Sequence, residues 1–173
     1  DKVLGYSFEN ESLLTQALSH RSVGSQNNER LEFLGDSLLN FIVAEVLFRK
    51  FPDAKEGDLS RLRASLVKGL TLAELAREMN LGEHVLLGGG ELKSGGHRRA
   101  SILADTVEAI IGAVYIDSGS FDTCRAIVLR WFDMRLGQVS MENVEKDPKT
   151  ELQEYLQERK KGLPLYRIVD TQG

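Results

Sequence analysis

"NNERLEFLGDSLLNF", residues 27–41, sets a leucine pattern beside three carboxylates, Glu29, Glu32 and Asp36. Apolar residues recur at spacings of three and four from Leu31 to Phe48, the period of an amphipathic helix. At 100° per residue, Glu29, Glu32 and Asp36 fall at roughly 0°, 300° and 340° around that helix, a single narrow stripe. Leu31, Leu34, Leu38 and Ile42 fall between roughly 140° and 220°, so the leucines are expected to pack a core opposite the acids. By itself the stripe reads equally well as a solvated acidic face, the common fate of helix carboxylates.

A second segment, "SILADTVEAIIGAVY" at 101–115, shifts that balance. Asp105 and Glu108 stand one turn apart and are the only charged residues between Arg99 and Asp117. A helix this apolar should be mostly buried. Gly112 follows Glu108 on the same face, where a missing side chain would let a neighbouring helix or a ligand come close. If the two acidic faces meet, at least four carboxylates converge. Two like charges about 4 Å apart repel by roughly 4 kcal/mol even at an effective dielectric of about 20. No lysine or arginine interleaves with either stripe, so bound divalent cations are the simplest compensation, and all-oxygen ligands select hard ions such as Mg²⁺ or Mn²⁺. A di-iron bundle would require Glu-x-x-His pairs, which neither acidic helix supplies.

Mg²⁺ held by carboxylates suits phosphoryl chemistry. No Ser-His-Asp arrangement or thiol nucleophile competes. His20, which precedes Arg21 at a helix end, and His84 and His97 near glycine-rich turns, read as capping or surface residues. "GGG" at 88–90 lacks a following Lys-Ser/Thr and is not a phosphate loop.

Elsewhere the periodicity predicts helices over 12–18, 59–70, 72–79, 102–115 and 121–136. Asp58 is expected to cap the third of these segments, counting 31–48 as the second, and "TLAE" at 71–74 to form a capping box after Gly69. "GQVSMENVEKDPKT" at 137–150 reads as a linker. Beyond it, one helix and the strand-like "PLYRIVD" at 164–170 are too little for a core, as if the chain stops inside a second domain. The 173 residues, 42% of them apolar, suffice for one sizeable core and part of another module. The lone Cys124 makes no internal disulfide, no signal-peptide pattern opens the chain, and no apolar run reaches a membrane span. A soluble, cytoplasmic protein without membrane contact is expected. The net charge of −4 argues weakly against a nucleic-acid partner, although clustered acids that bind cations would mask local basic patches.

"NERLEFLGDSLL" (28–39) resembles the signature of the ribonuclease III family. "HRS" (20–22), "EGDLSRLRASLV" (56–67), "GGGELKSGGHRRASILADTVEAIIGAVYID" (88–117) and "DPKTELQEYLQ" (147–157) resemble bacterial ribonuclease III in the same order. The resemblance implies an all-α endonuclease domain over 1–140, a linker over 141–147, and the start of an α+β double-stranded-RNA-binding domain over 148–173. It implies a Mg²⁺-dependent homodimer that hydrolyses double-stranded RNA, leaving 5′-phosphate and 3′-hydroxyl ends with a two-nucleotide 3′ overhang. Ribosomal and other structured RNA precursors would be its substrates. Glu32, Asp36, Asp105 and Glu108 match the family's metal-binding acids, with Asp36 and Glu108 central to catalysis. Glu29 and Glu56 match supporting acidic positions, and Phe33 matches a ring that the family buries in a socket on the partner subunit. At roughly 40° this ring lies away from the leucine face, an awkward place in a monomer, although packing within its own subunit is the competing expectation.

Double-stranded RNA is read through phosphates and 2′-hydroxyls, which local basic clusters can contact. Arg61, Arg63 and Lys68 form one such cluster, and Lys93, His97, Arg98 and Arg99 another, the latter equally a solvated loop. By resemblance, Thr150, Gln153 and Glu154 lie on the RNA-binding domain's first helix and enter the minor groove. From Asp147 to Gly173 acidic and basic residues balance, so weak binding with a small salt slope is expected. A non-cleaving scaffold with the same fold is the alternative; it would be free to lose Asp36, Asp105 or Glu108, and this chain keeps all three.

Overall fold

The computed structural model describes residues 3–141 and Leu156. Seven α-helices run through the described residues: α1 (Glu11–Leu18), α2 (Glu29–Lys50), α3 (Glu56–Val67), α4 (Gly69–Glu78), α5 (Gly89–Lys93), α6 (Ala100–Ser118) and α7 (Phe121–Gln138). Three 3-10 turns, Arg21–Val23, Leu81–Glu83 and Gly96–Arg98, join them, and no strand is present among these residues. The chain divides into two compact units, Asp1–Val139 and Ser140–Gly173. Nearly all of the second lies outside the described residues, and with it the expected RNA-binding positions Thr150, Gln153 and Glu154.

The apolar sequence of α6 dictates its place. Ile102, Leu103, Ala104, Val107, Ala109 and Gly112 are all buried, on every side of the helix, so it must be surrounded. It packs against α1, α2, α4 and α7 and forms the axis of the bundle. Gly119, left-handed at φ 60°, ends it. Asp117 near that end accepts hydrogen bonds from Tyr6 Oη at 2.8 Å, Glu9 N–H at 2.8 Å and Asn10 N–H at 2.9 Å, tying the segment before α1 to the axis. No helix among the described residues is long and apolar enough to cross a membrane.

Two expected caps are corrected. Asp58 lies inside α3, whose cap position is Lys55, and it pairs with Arg61 at 2.6 Å instead. The capping box at 71–74 does not form either. Lys68 is extended, α4 already starts at Gly69, and Thr71 Oγ1 donates to the Ser65 carbonyl at 3.0 Å. The break between α3 and α4 is thus a single extended residue, and Thr71 bridges it. Helix α5 has no counterpart in the periodicity, because five residues that begin inside a glycine run carry no readable period.

Candidate metal centre and its cleft

Helix α2 begins where Asn27 Oδ1 accepts the Glu29 N–H at 3.1 Å and buried Asn28 donates to the Ser19 carbonyl at 2.8 Å. Its buried stripe is Leu31, Gly35, Leu39, Ile42, Val43 and Leu47, while Leu34 and Leu38 are only half-buried. On the same helical projection Gly35, Leu39 and Val43 fall at roughly 240°, 280° and 320°. The acids therefore border the buried stripe rather than oppose it, which corrects the expected division of faces.

Two glycines produce this arrangement. A Cβ on Gly35 would collide with the Glu108 carbonyl oxygen, and one on Gly112 with the Leu31 carbonyl oxygen. The backbones of α2 and α6 touch at this crossing. Gly112 does what its position suggested; Gly35, inside the signature, was overlooked. A glycine within a helix costs about 1 kcal/mol relative to alanine, so a pair at one crossing marks a contact that offsets the cost.

The crossing brings Glu32 on α2 to Asp105 and Glu108 on α6. Each offers a carboxylate oxygen, and the three oxygens lie within 4.8 Å of one another. All three residues are half-buried. Burial, reinforced by Asp36, Glu32 and Asp105, pushes the Glu108 carboxyl up to about 8. Burial likewise raises Glu32, with Asp105, Glu29 and Asp36 adding to it. Asp105 is raised by burial and partly relieved by His20 and Arg21. Such a set favours either protons or a cation, and three carboxylates that can aim oxygens at one point fit a hard divalent ion.

Asp36 stands at the rim: it is exposed, its Oδ1 accepts from Asn40 Nδ2 at 2.8 Å, and it acts on Glu108 through its charge. Glu29 is exposed and 3.9 Å from Arg21. Glu56 is elsewhere. It starts α3, accepts from Ser60 Oγ at 2.7 Å and lines a separate cleft with Phe41, Phe48 and Arg63. Phe33 is 76% exposed, so it does not pack within its own subunit, and Phe41 and Phe48 on the same helix are also exposed.

A cleft of about 400 Å³ opens beside the acids, lined among others by His20, Arg21, Glu32, Glu91 and Asp105. Glu91 was not anticipated, since a lone carboxylate in a glycine-rich loop gives no periodic signal. It pairs with Arg99 at 2.9 Å, so this expected RNA contact already has an internal partner. Arg98 is exposed and donates to His97 Nε2 at 3.1 Å. Neither acidic helix face carries a lysine or arginine, as expected; Arg21 reaches the cleft from the turn before α2.

Residues 10–136 match the family model described as Ribonuclease-III-like. The chain is 59% identical to Ribonuclease 3 of Hahella chejuensis over 172 residues, covering 99% of this chain and 76% of that protein. It is 62% identical to Ribonuclease 3 of a Marinomonas species over 170 residues, covering 98% and 74% respectively. Among solved structures, the nuclease domain of ribonuclease III from Campylobacter jejuni, described as having a flexible region involved in dimer formation, superposes with a TM-score of 0.75. That match has 46% identity and covers 77% of this chain and 93% of that one. With glycine-locked helices, a half-buried carboxylate set and these relatives, the chain belongs to the ribonuclease III family of endoribonucleases.

Proposed function

We propose that this protein hydrolyses phosphodiester bonds of double-stranded RNA at the α2–α6 carboxylates in the presence of Mg²⁺, with Mn²⁺ as a substitute. The observation that supports this is the meeting of Glu32, Asp105 and Glu108 oxygens within 4.8 Å, in a setting that holds the Glu108 carboxyl at about 8. When bound, the ion would neutralise this charge and polarise the phosphodiester for attack by water. Glu32, Asp105 and Glu108 are the residues to hold it. Asp36, steadied by Asn40, completes the charge at the open side. Glu108 must release its proton for the site to fill, and Asp36 and Glu108 together carry the catalytic assignment. Glu29 and Glu56 are supporting acids.

The family's products follow from two such sites in a homodimer: 5′-phosphate and 3′-hydroxyl ends with a two-nucleotide 3′ overhang. A two-fold axis in the protein matches the pseudo-symmetry of a duplex. Residues 1–140 serve as the nuclease domain and 141–147 as a linker. Residues 148–173 begin a double-stranded-RNA-binding domain, in which Thr150, Gln153 and Glu154 meet the minor groove; Arg98 supplies a phosphate contact. Ribosomal and other structured precursors are the natural substrates.

A long RNA duplex incubated with the protein should be cut in Mg²⁺ and left whole in chelator. A duplex that stays whole in Mg²⁺ while bound would instead identify a non-cleaving scaffold. The dimer has its own test. Phe33, at 76% exposure, is the ring to enter the partner, and burying a phenylalanine is worth about 2 to 3 kcal/mol. Phe33→Ala removes the ring from both subunits of the dimer, about 4 to 6 kcal/mol in all, and should weaken dimerisation by about 1,000-fold or more in sedimentation. Unchanged association would remove Phe33 from the interface.

A further inference from the structure

The cleft beside the carboxylates has a second wall of opposite character, to which His20 and Arg21 of "HRS" at 20–22 contribute. His20 Nδ1 accepts the backbone N–H of Ser22 at 3.2 Å and lies 2.8 Å from Ser22 Oγ. The Gly88 N–H donates to that same Oγ at 2.8 Å, leaving the hydroxyl proton for Nδ1. A ring nitrogen that accepts a backbone N–H holds a lone pair there, so the neutral imidazole carries its proton on Nε2. The tautomer is therefore set by the turn itself.

The ring's base is also held firmly. His20 N–H donates to the Leu86 carbonyl at 3.0 Å, and Leu86 N–H donates to the Leu18 carbonyl at 2.8 Å, forming the single parallel bridge among the described residues. Nε2 has no hydrogen-bond partner among the described residues, although the half-buried ring lines the cleft with Glu32 and Asp105. A cleft whose other wall is acidic repels a phosphate unless donors face it. Arg21 stands toward Glu29, 3.9 Å away, and Arg99 pairs with Glu91 at 2.9 Å, so the oriented imidazole N–H is a directed donor in the cleft that no carboxylate engages.

We propose that His20 contacts the RNA: its Nε2–H donates to a non-bridging phosphate oxygen of the strand lying in the cleft and holds that backbone in register beside the carboxylates. This assignment rests on the cleft being the cleavage site. It goes beyond the capping role, which uses only Nδ1.

Two substitutions separate the ring's two nitrogens. His20→Asn retains an acceptor where Nδ1 stands and suits a cap position, but it lacks the outer N–H. His20→Gln reaches the Nε2 position with an amide N–H but gives up the cap. Single-turnover cleavage of a long duplex in Mg²⁺ is measured for both variants, alongside melting temperature. His20→Asn should melt like the wild type and cut about 10-fold or more slowly, while His20→Gln should melt lower yet cut faster than His20→Asn. A purely structural histidine predicts the reverse order. If the wild type cuts and His20→Asn stays within about twofold of it, or His20→Gln cuts no faster than His20→Asn, the His20 assignment alone is overturned. A wild type that leaves the duplex whole overturns the cleavage reading and this assignment together.

Discussion

Glu108→Gln should stabilise the metal-free protein at pH 8 and at the same time cut duplex RNA at least about 1,000-fold more slowly. The stability gain follows from linkage. The folded protein holds the Glu108 proton up to about pH 8, whereas an ordinary glutamate releases it near 4.5. Below about 4.5 the group is protonated folded or unfolded, and its contribution to stability is fully present. As pH rises through the window to 8, the unfolded chain releases the proton easily and the folded one does not, so stability is progressively lost. Asp36, Glu32 and Asp105 strengthen the effect once ionised.

The melting temperature of the wild type in chelator should therefore fall between pH 5 and pH 8, and Mg²⁺ should restore it. Glu108→Gln removes one charge from the set and should flatten that slope. Its gain at pH 8 is about 1 to 3 kcal/mol, since solvent screens a side chain that is only partly buried. Activity moves the opposite way because the amide cannot supply the anionic oxygen. A wild-type melting temperature that does not vary with pH in chelator, or a variant that cuts as fast as the wild type, would refute this account of the site.

Gly35→Ala should be the most damaging single-methyl change in the bundle. Helix propensity alone predicts the opposite, a gain of about 1 kcal/mol for alanine over glycine inside α2. The added Cβ, however, meets the Glu108 carbonyl oxygen, and backbone cannot turn aside as a side chain can. Overpacking against movable side chains costs about 1 to 3 kcal/mol, so a backbone collision at a helix crossing should cost roughly 3 kcal/mol or more. That corresponds to a loss of about 10 °C or more in melting temperature for a domain of this size. Gly112→Ala should behave similarly through the Leu31 carbonyl oxygen, and the two changes should not add, because they force apart the same pair of backbones. Gly137, near the end of α7 with nothing within 4 Å of an added Cβ, is the control. Gly137→Ala should be neutral or slightly stabilising. Cleavage should fall with Gly35→Ala even in the fraction that stays folded, since separating α2 from α6 pulls Glu32 away from Asp105 and Glu108. A Gly35→Ala protein as stable and active as the wild type would mean that the crossing is not tight.

Much of this arrangement is legible in the sequence. The four acids, their pairing one turn apart on two helices, and the apolar length of α6 are all periodic signals, and a helix's period is a property of neighbouring residues. The same locality explains the errors. Asp58 and Thr71 have the chemistry of caps, but the helix starts shifted when Lys55 and Lys68 took the extended positions, and the two side chains bonded elsewhere. Leu34 and Leu38 belong to the same apolar run as Leu31 and Leu39, yet the neighbours of α2 cover only part of that run. Which leucines are buried is decided by what lies beside the helix.

The amino-acid order thus determined which carboxylates share a helix face, because 3.6 residues per turn sets angles within a single element. The folded chain alone decided how far apart those faces lie, because separation depends on the approach of two backbones at Gly35 and Gly112, residues distant in sequence. It also decided the electrostatics. Burial and mutual repulsion raise Glu108 only once α2 has crossed α6, and His20 and Arg21 enter the cleft only because the turn before α2 folds against Leu86.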